Sequence, residues 1–259
     1  MLPEVRLKED LPAEMASLLQ TRDKLVKLRT TLKNKINNLL AARAILLPKE
    51  SMSTEKGLEQ VLQAEVGELA RVELVVLVEQ IRHLNQGIAK LEAAIKKQGP
   101  KLPGYKNLKS IKGIGDISGS ALLSTIGDIN DFATEGKLSA YFGIVPRVAN
   151  SNETERSGRI TKRGNKLGRT ALVQSALIAM RYSPYLANYY ARIKAARGTG
   201  KAIIALARKF LGIIYKTLKN GWIFEDFPRF VLAQPAGNVG ALPPHPRVYR
   251  LGGHQREAR

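Results

Sequence analysis

Two hydroxyls, Ser151 and Ser157, lie in the run "GIVPRVANSNETERSGRITKRGNKLGR", residues 143–169, with seven Lys or Arg, two Glu, four Gly and one Pro. Such a run cannot bury a core face. A serine hydroxyl among cations suggests nucleophilic attack on a phosphate. It is a weak nucleophile by itself, and nearby positive groups favour its alkoxide and stabilise a pentavalent phosphorane. Arg147, Arg156, Arg159, Lys162, Arg163, Lys166 and Arg169 are the cations that could hold that phosphate. The plain alternative is a solvated basic loop whose serines do no chemistry.

A second phosphate site is readable in "SIKGIGDISGSALLSTIGD", residues 110–128. Gly113 and Gly115 bracket Ile114, a pattern like a helix-hairpin-helix, in which backbone N–H groups and a helix N-terminus meet a phosphate. Ala121, Leu122 and Ile126 would line the inner face of its second helix. The alternative is a tight turn between packed helices. "ARGTGKA", residues 196–202, is not a phosphate-binding P-loop, because Ala202 follows the Lys and no apolar strand precedes it.

The whole chain fits a polyanion as partner. Its 259 residues carry 42 Lys and Arg against 22 Asp and Glu, a net charge of +20. Nucleic acid is the first candidate, because basic side chains displace counterions from phosphates. An anionic membrane surface is the second. There is no Cys, which excludes disulfides and thiol catalysis, and His83, His245 and His254 lack metal-site spacing. The N-terminus has no apolar segment of a signal peptide, and the apolar runs are too short and interrupted for a membrane span. The expectation is a cytoplasmic protein with no metal site of its own. Aromatics at 6% argue against base stacking, and Tyr215 and Trp222 are expected in the core.

The elements that must position these groups read as mostly α. Residues 11–47 form one long helix, with Leu11, Leu18, Leu25, Leu32 and Leu39 at heptad spacing. Met15, Arg22, Arg29 and Ile36 follow at the offset of four, so the second line of that seam is broken by cations. A second helix is expected over 58–97, with Leu74, Leu77, Ile81, Leu84, Ile88, Leu91 and Ile95 alternating by three and four. The two could fold on each other as a hairpin or pair with another copy. Short helices follow over 101–142, longer ones over 166–190 and 199–221, with Gly221 as a cap. The expected organisation is a coiled-coil segment at 1–100, a compact helical domain at 101–223 and a disordered Pro- and Gly-rich tail at 224–259.

Four stretches then point to a family: "IKGIGDISGSALLSTIGDINDF", "LSAYFGIVPRVANS", "GRITKRGNKLGRTAL" and "GKAIIALARKFLGIIYKTLKNG". The chain resembles, from about residue 10 to 224, the insertion-sequence transposases of the one-ten, one-sixteen and nine-oh-two types. Those proteins join a RuvC-like nuclease domain with four metal-binding acids to a domain bearing a nucleophilic serine. Gly143, Ile144 and Pro146 match the family's G-L-x-P segment; Gly158, Arg159, Ile160, Lys162, Gly164 and Asn165 match its G-R-I-x-K-x-G-N stretch. The resemblance implies that Ser151 is the nucleophile that forms a phosphoserine link to DNA. Asn152 stands where the family usually has Gly, Glu153 adds negative charge nearby, and Gly168 stands where Leu is usual.

The family's four acids lie ahead of the long helix, where this chain has "MLPEVRLKED". Glu4, Glu9, Asp10 and Glu14 are poor substitutes. The resemblance therefore implies an N-terminally truncated transposase, inactive alone, with no cofactor in this chain and Mg²⁺ belonging to the absent domain. It implies DNA as partner, a guide RNA as in some members, and self-association through the coiled coil. The competing readings are a non-catalytic basic coiled-coil nucleic-acid-binding protein and a basic protein associated with RNA.

Overall fold

The computed structural model describes residues 10–48, 51–151, 154–226 and 231–233, with the backbone alone over 147–159, 225–226 and 231–233. Glu4, Glu9 and the tail beyond 233 lie outside the described residues. The fold is mostly α, as the sequence implies. In chain order it runs α1 (Asp10–Ala41), α2 (Glu55–Leu62), α3 (Glu68–Gln98), α4 (Tyr105–Lys109), α5 (Asp116–Ile126), α6 (Glu135–Tyr141), β1 (Pro146–Ser151), β2 (Thr154–Ile160), α7 (Lys166–Tyr182), α8 (Pro184–Arg197), α9 (Thr199–Lys219), β3 (Ile223–Asp226) and β4 (Val231–Ala233). These elements form two compact units, one holding α1, α2, α3 and α5, the other the rest.

In the first unit α1 and α3 pack on each other as an antiparallel hairpin within the chain. Arg22 reaches Glu92 near one end, at 2.9 Å from Nε and 2.7 Å from Nη2. Lys35 meets Glu73 at 3.0 Å near the other. Met15 and Ile36 are fully buried with Leu19 and Leu40, facing a line of Leu74, Val78, Ile81, Ile88 and Ile95. The buried seam is thus the Met15–Arg22–Arg29–Ile36 line, and the Leu heptad flanks it. The two cations that interrupt the seam are matched across it, since Arg29 donates to Asn85 Oδ1 at 2.8 Å. Such half-exposed polar pairs contribute at most about 1 kcal/mol each and mainly fix register.

The second expected helix is two. Helix α2 ends at Leu62 and α3 starts at Glu68, with Gly67 as its N-cap. Arg71 donates to the carbonyls of Leu62 and Ala64, satisfying acceptors that the end of α2 leaves open. Met52, Leu58 and Val61 thereby join Ile36, Leu40, Leu74 and Val78 in one cluster. Helix α5 packs on α1 and α3, and every residue from Gly119 to Ile126 is buried. Its small and apolar residues leave no charged face after Asp116, and Thr125 Oγ1 donates back to Ala121 O at 2.7 Å, which suits an enclosed helix.

In the second unit α9 is the centre, packing on α4, α6, α7 and α8. It buries Ala202, Leu206, Ala207, Phe210, Leu211, Ile213 and Ile214. Its end is a Schellman turn: Trp222 N–H donates to Thr217 O at 2.9 Å and Gly221 N–H to Leu218 O at 3.3 Å. The helix expected over 166–190 breaks at Ser183–Pro184. Ser183 Oγ accepts from Leu186 N–H at 3.2 Å, and Pro184 opens α8. Tyr215 anchors the unit from α9 through its hydroxyl, which donates to Phe132 O at 3.0 Å.

Ile36 is wholly enclosed at the α1–α3 seam, so Ile36→Ala should cost about 2–5 kcal/mol of stability. Urea denaturation followed by circular dichroism reads this directly; a change under about 1 kcal/mol would mean the seam is not packed this way.

Candidate nucleic-acid interface

The basic run is not a plain loop. It is a β-hairpin between two helices, and its base is fixed by backbone. Helix α6 ends in a second Schellman turn, in which Gly143 N–H donates to Ala140 O at 2.9 Å and Ile144 N–H to Ser139 O at 3.2 Å. Gly143 holds φ +66°, and a Cβ there would run into the carbonyl oxygen of Arg163. On the returning segment Gly164 holds φ +125°, and a Cβ there would run into the carbonyl oxygen of Tyr141. The two glycines let residues 141–145 and 161–164 cross at backbone contact. Hydrogen bonds close the crossing: Lys162 N–H to Gly143 O at 3.1 Å and Thr161 N–H to Val145 O at 3.0 Å. Lys162 itself carries φ +53°, a strained conformation for a side chain that long.

Pro146, which cannot prolong a helix, starts β1 beside the buried Ile144. Strand β1 pairs antiparallel with β2 from Pro146↔Ile160 to Ser151↔Thr154, with an irregularity between Pro146 and Val148. Ser151 is therefore the last paired residue of β1, at the end of the hairpin away from the crossing. Arg147 lies on β1, and Arg156 and Arg159 on β2, with Arg156 opposite Ala149. The side chains of Ser151, Arg147, Arg156 and Arg159 lie outside the described residues, as do Asn152 and Glu153 altogether.

The other expected phosphate ligands divide in two. Lys162, Arg163 and Lys166 are exposed. Arg169 is half-buried, and its Nη1 donates to Phe142 O at 3.2 Å and to Lys162 O at 3.4 Å. It ties both sides of the crossing together, a structural duty that its place among the other cations does not reveal. Asn165 caps α7 by accepting from Gly168 N–H at 3.1 Å, which fits a small residue in that first turn.

Gly113 and Gly115 sit between α4 and α5, but α4 packs on α9 and β3 in the second unit while α5 packs in the first. Gly113 holds φ +106°, and a Cβ there would stand 2.6 Å from Ala179 N in α7. Its missing side chain thus admits the α7 backbone.

One further feature escapes a reading by motif. From Arg156 to Phe224 the chain holds fifteen Lys or Arg and no Asp or Glu. Counting acids by segment rather than over the whole chain finds it. The acids sit elsewhere, many on α1–α3. Among the described residues no three His, Cys, Asp or Glu come together in a way that could hold a metal ion. The Mg²⁺ that the resemblance implies has no fitting donor set among them. No helix among the described residues is long and apolar enough to cross a membrane.

Residues 105–191, which include the crossing and the hairpin, match the family model "Transposase IS116/IS110/IS902 family". The chain is 29% identical over 212 residues to the transposase for insertion sequence element IS1111A of Coxiella burnetii, covering 79% of this chain and 58% of that protein. It is 28% identical over 216 residues to a probable family 20 transposase of Pseudomonas aeruginosa, covering 79% and 63%. It is 26% identical over 216 residues to the transposase for insertion sequence element IS1328 of Yersinia enterocolitica, covering 82% and 64%. The chain is thus similar to insertion-sequence transposases over most of its length, and its residues 105–191 match their IS116/IS110/IS902 family model. It spans about three-fifths of the length of these relatives.

Gly143→Ala and Gly164→Ala should each open the hairpin base, since the left-handed backbone alone costs a side chain about 1–3 kcal/mol before any clash. Amide hydrogen exchange is expected to quicken at Thr161 and Lys162 while the α9 amides stay protected. Unchanged exchange at those two amides would show that the crossing does not hold the hairpin.

Proposed function

We propose that this chain is the DNA-handling part of a transposase: it grips DNA through the acid-free cationic stretch and brings Ser151 to a phosphodiester. The observation that carries this reading is the glycine crossing, which holds a short hairpin ending at Ser151 at the head of a segment with fifteen cations and no acid. A crossing of that kind fixes the direction in which a hairpin leaves the domain, and a nucleophile must be held in near-attack geometry to be useful. The relatives' printed names as transposases support it independently.

In the proposed step the Ser151 Oγ–P bond forms as the P–O bond to a deoxyribose oxygen breaks. The serine proton passes to solvent, and the departing sugar oxygen takes up a proton. Neighbouring guanidinium and ammonium groups balance the charge on the phosphorane. Lys162, Arg163 and Lys166 hold the flanking phosphates. Self-association belongs to the same proposal. Leu69, Val72 and Val76 are exposed at spacings of three and four on α3, Leu69 at 88%, an apolar stripe suited to a second copy.

Mixed with insertion-sequence end DNA and a full-length relative that supplies the acids, this chain should form a covalent protein–DNA adduct that Ser151→Ala abolishes and Ser157→Ala leaves intact. An adduct that survives Ser151→Ala would remove the serine from the mechanism. Duplex binding should weaken linearly in log–log coordinates with salt. The combined change Lys162→Ala, Arg163→Ala, Lys166→Ala should reduce that slope by about 2–3, at about 0.9 per lost phosphate contact. A slope equal to that of the unmodified chain would place these cations away from the DNA. In sedimentation, Leu69→Glu with Val76→Glu should shift the chain to monomer if the α3 stripe joins copies.

A further inference from the structure

Helix α8 packs on α7 and α9 but contributes little apolar bulk to the core. It has 14 residues and buries only Leu186. Yet it carries Tyr185, Tyr189 and Tyr190, and the last turn of α7 adds Tyr182, which is 56% exposed. Tyr185, Tyr189 and Tyr190 are half-buried, so part of each side chain stays open to solvent. The charge along this part of the chain is entirely positive: α8 has Arg192, Lys194 and Arg197, and no carboxylate occurs between Arg156 and Phe224, although Glu135 of α6 reaches α9 at Gly212.

Tyr185, Tyr189 and Arg192 follow at i, i+4 and i+7, so they share one face of α8. Lys209 joins them from α9, with Nζ 5.6 Å from the Tyr185 ring centroid and 5.7 Å from that of Tyr189. The Arg192 guanidinium carbon lies 5.7 Å from the Tyr189 centroid. Two rings and two cations thus form one cluster, and neither Lys209 nor Arg192 is paired with a carboxylate among the described residues. Cation–ring contacts hold the rings in place at little entropic cost.

We propose that this cluster is a stacking platform for unpaired nucleotides of a single strand, with Tyr185 and Tyr189 taking base faces and Lys209 and Arg192 taking the adjoining phosphates. Paired bases hide their π faces inside the duplex, so a duplex could use only the cations. An unpaired strand could use both. Base–aromatic stacking is tolerant of sequence, because every base has a π face. The platform deepens the proposed DNA grip, since Arg192 and Lys209 belong to the same acid-free stretch, but its rings need neither the hairpin nor Ser151.

The test uses the full chain with three labelled probes of about 15 nucleotides, on the scale of single-strand binding sites: oligothymidine, oligouridine and a mixed-sequence duplex, each followed by fluorescence anisotropy. Tyr185→Ala with Tyr189→Ala should weaken binding of at least one single strand by roughly 10- to 100-fold. Duplex affinity should change less than about twofold, because the cations remain. Tyr185→Phe with Tyr189→Phe should keep single-strand affinity, since the ring does the stacking. Which single strand suffers the loss identifies its sugar. If the alanine pair melts early, Tyr189→Leu repeats the comparison with bulk kept and the ring removed. Equal losses on single strand and duplex, or no loss on either single strand, would overturn the platform. Failure of duplex binding in the unmodified chain would count against the DNA grip alone.

Discussion

Everything proposed for the hairpin depends on one backbone crossing. Residues 141–145 and 161–164 approach so closely that neither Gly143 nor Gly164 can carry a Cβ. The contact is between main chains, so side-chain rearrangement cannot relieve it. It does three jobs with the same few atoms. It ends α6, sets the first rung of the β1–β2 pair, and delivers the chain to the Asn165 cap of α7. Arg169 then bonds a carbonyl on each side of it. The strain at Lys162 is held in place by this surrounding network.

Charge is distributed in the same spirit. The helical hairpin of the first unit uses its acids to match its own cations, as in Arg22–Glu92 and Lys35–Glu73. From Arg156 to Phe224 the sequence supplies no acid to do so; Arg169 and Lys219 bond uncharged oxygens, and Arg192 and Lys209 lie against aromatic rings. Self-repulsion among them destabilises the fold somewhat, which the enclosed core of α9 offsets. The consequence is a unit whose positive field is available to a polyanion.

Much of this fold is legible in the sequence. Long apolar periodicity marks the helices of the hairpin. The Met15–Ile36 line reads there only as the second, interrupted line of the seam, because its two arginines conceal that it is the buried one. Spacing alone cannot choose between pairing within the chain and pairing with another copy, because a seam looks the same whether its partner is in cis or in trans. The break at residues 63–67 is hidden because apolar residues continue through it, and the one at Ser183–Pro184 because helical patterning resumes at once on its far side. The β-hairpin is invisible for a deeper reason. "PRVANS" and "TERSGRI" have little β-branched or aromatic content and no alternation, so their pairing is imposed by the crossing rather than by propensity. For the site, the motif glycines stand out as a pattern, but the pattern alone does not say what Gly143, Gly164 and Gly113 do for packing. Arg169 looks like the other cations, since nothing in a sequence tells a carbonyl-bound guanidinium from a free one.

The central claim is that the crossing presents Ser151 to a DNA phosphate. The most direct measurement is peptide mass spectrometry of the adduct trapped on insertion-sequence end DNA in the presence of a full-length relative. The account predicts a nucleotide remnant bonded to Ser151 in the peptide from this chain. A remnant on Ser157, or on any residue outside the hairpin, would contradict it.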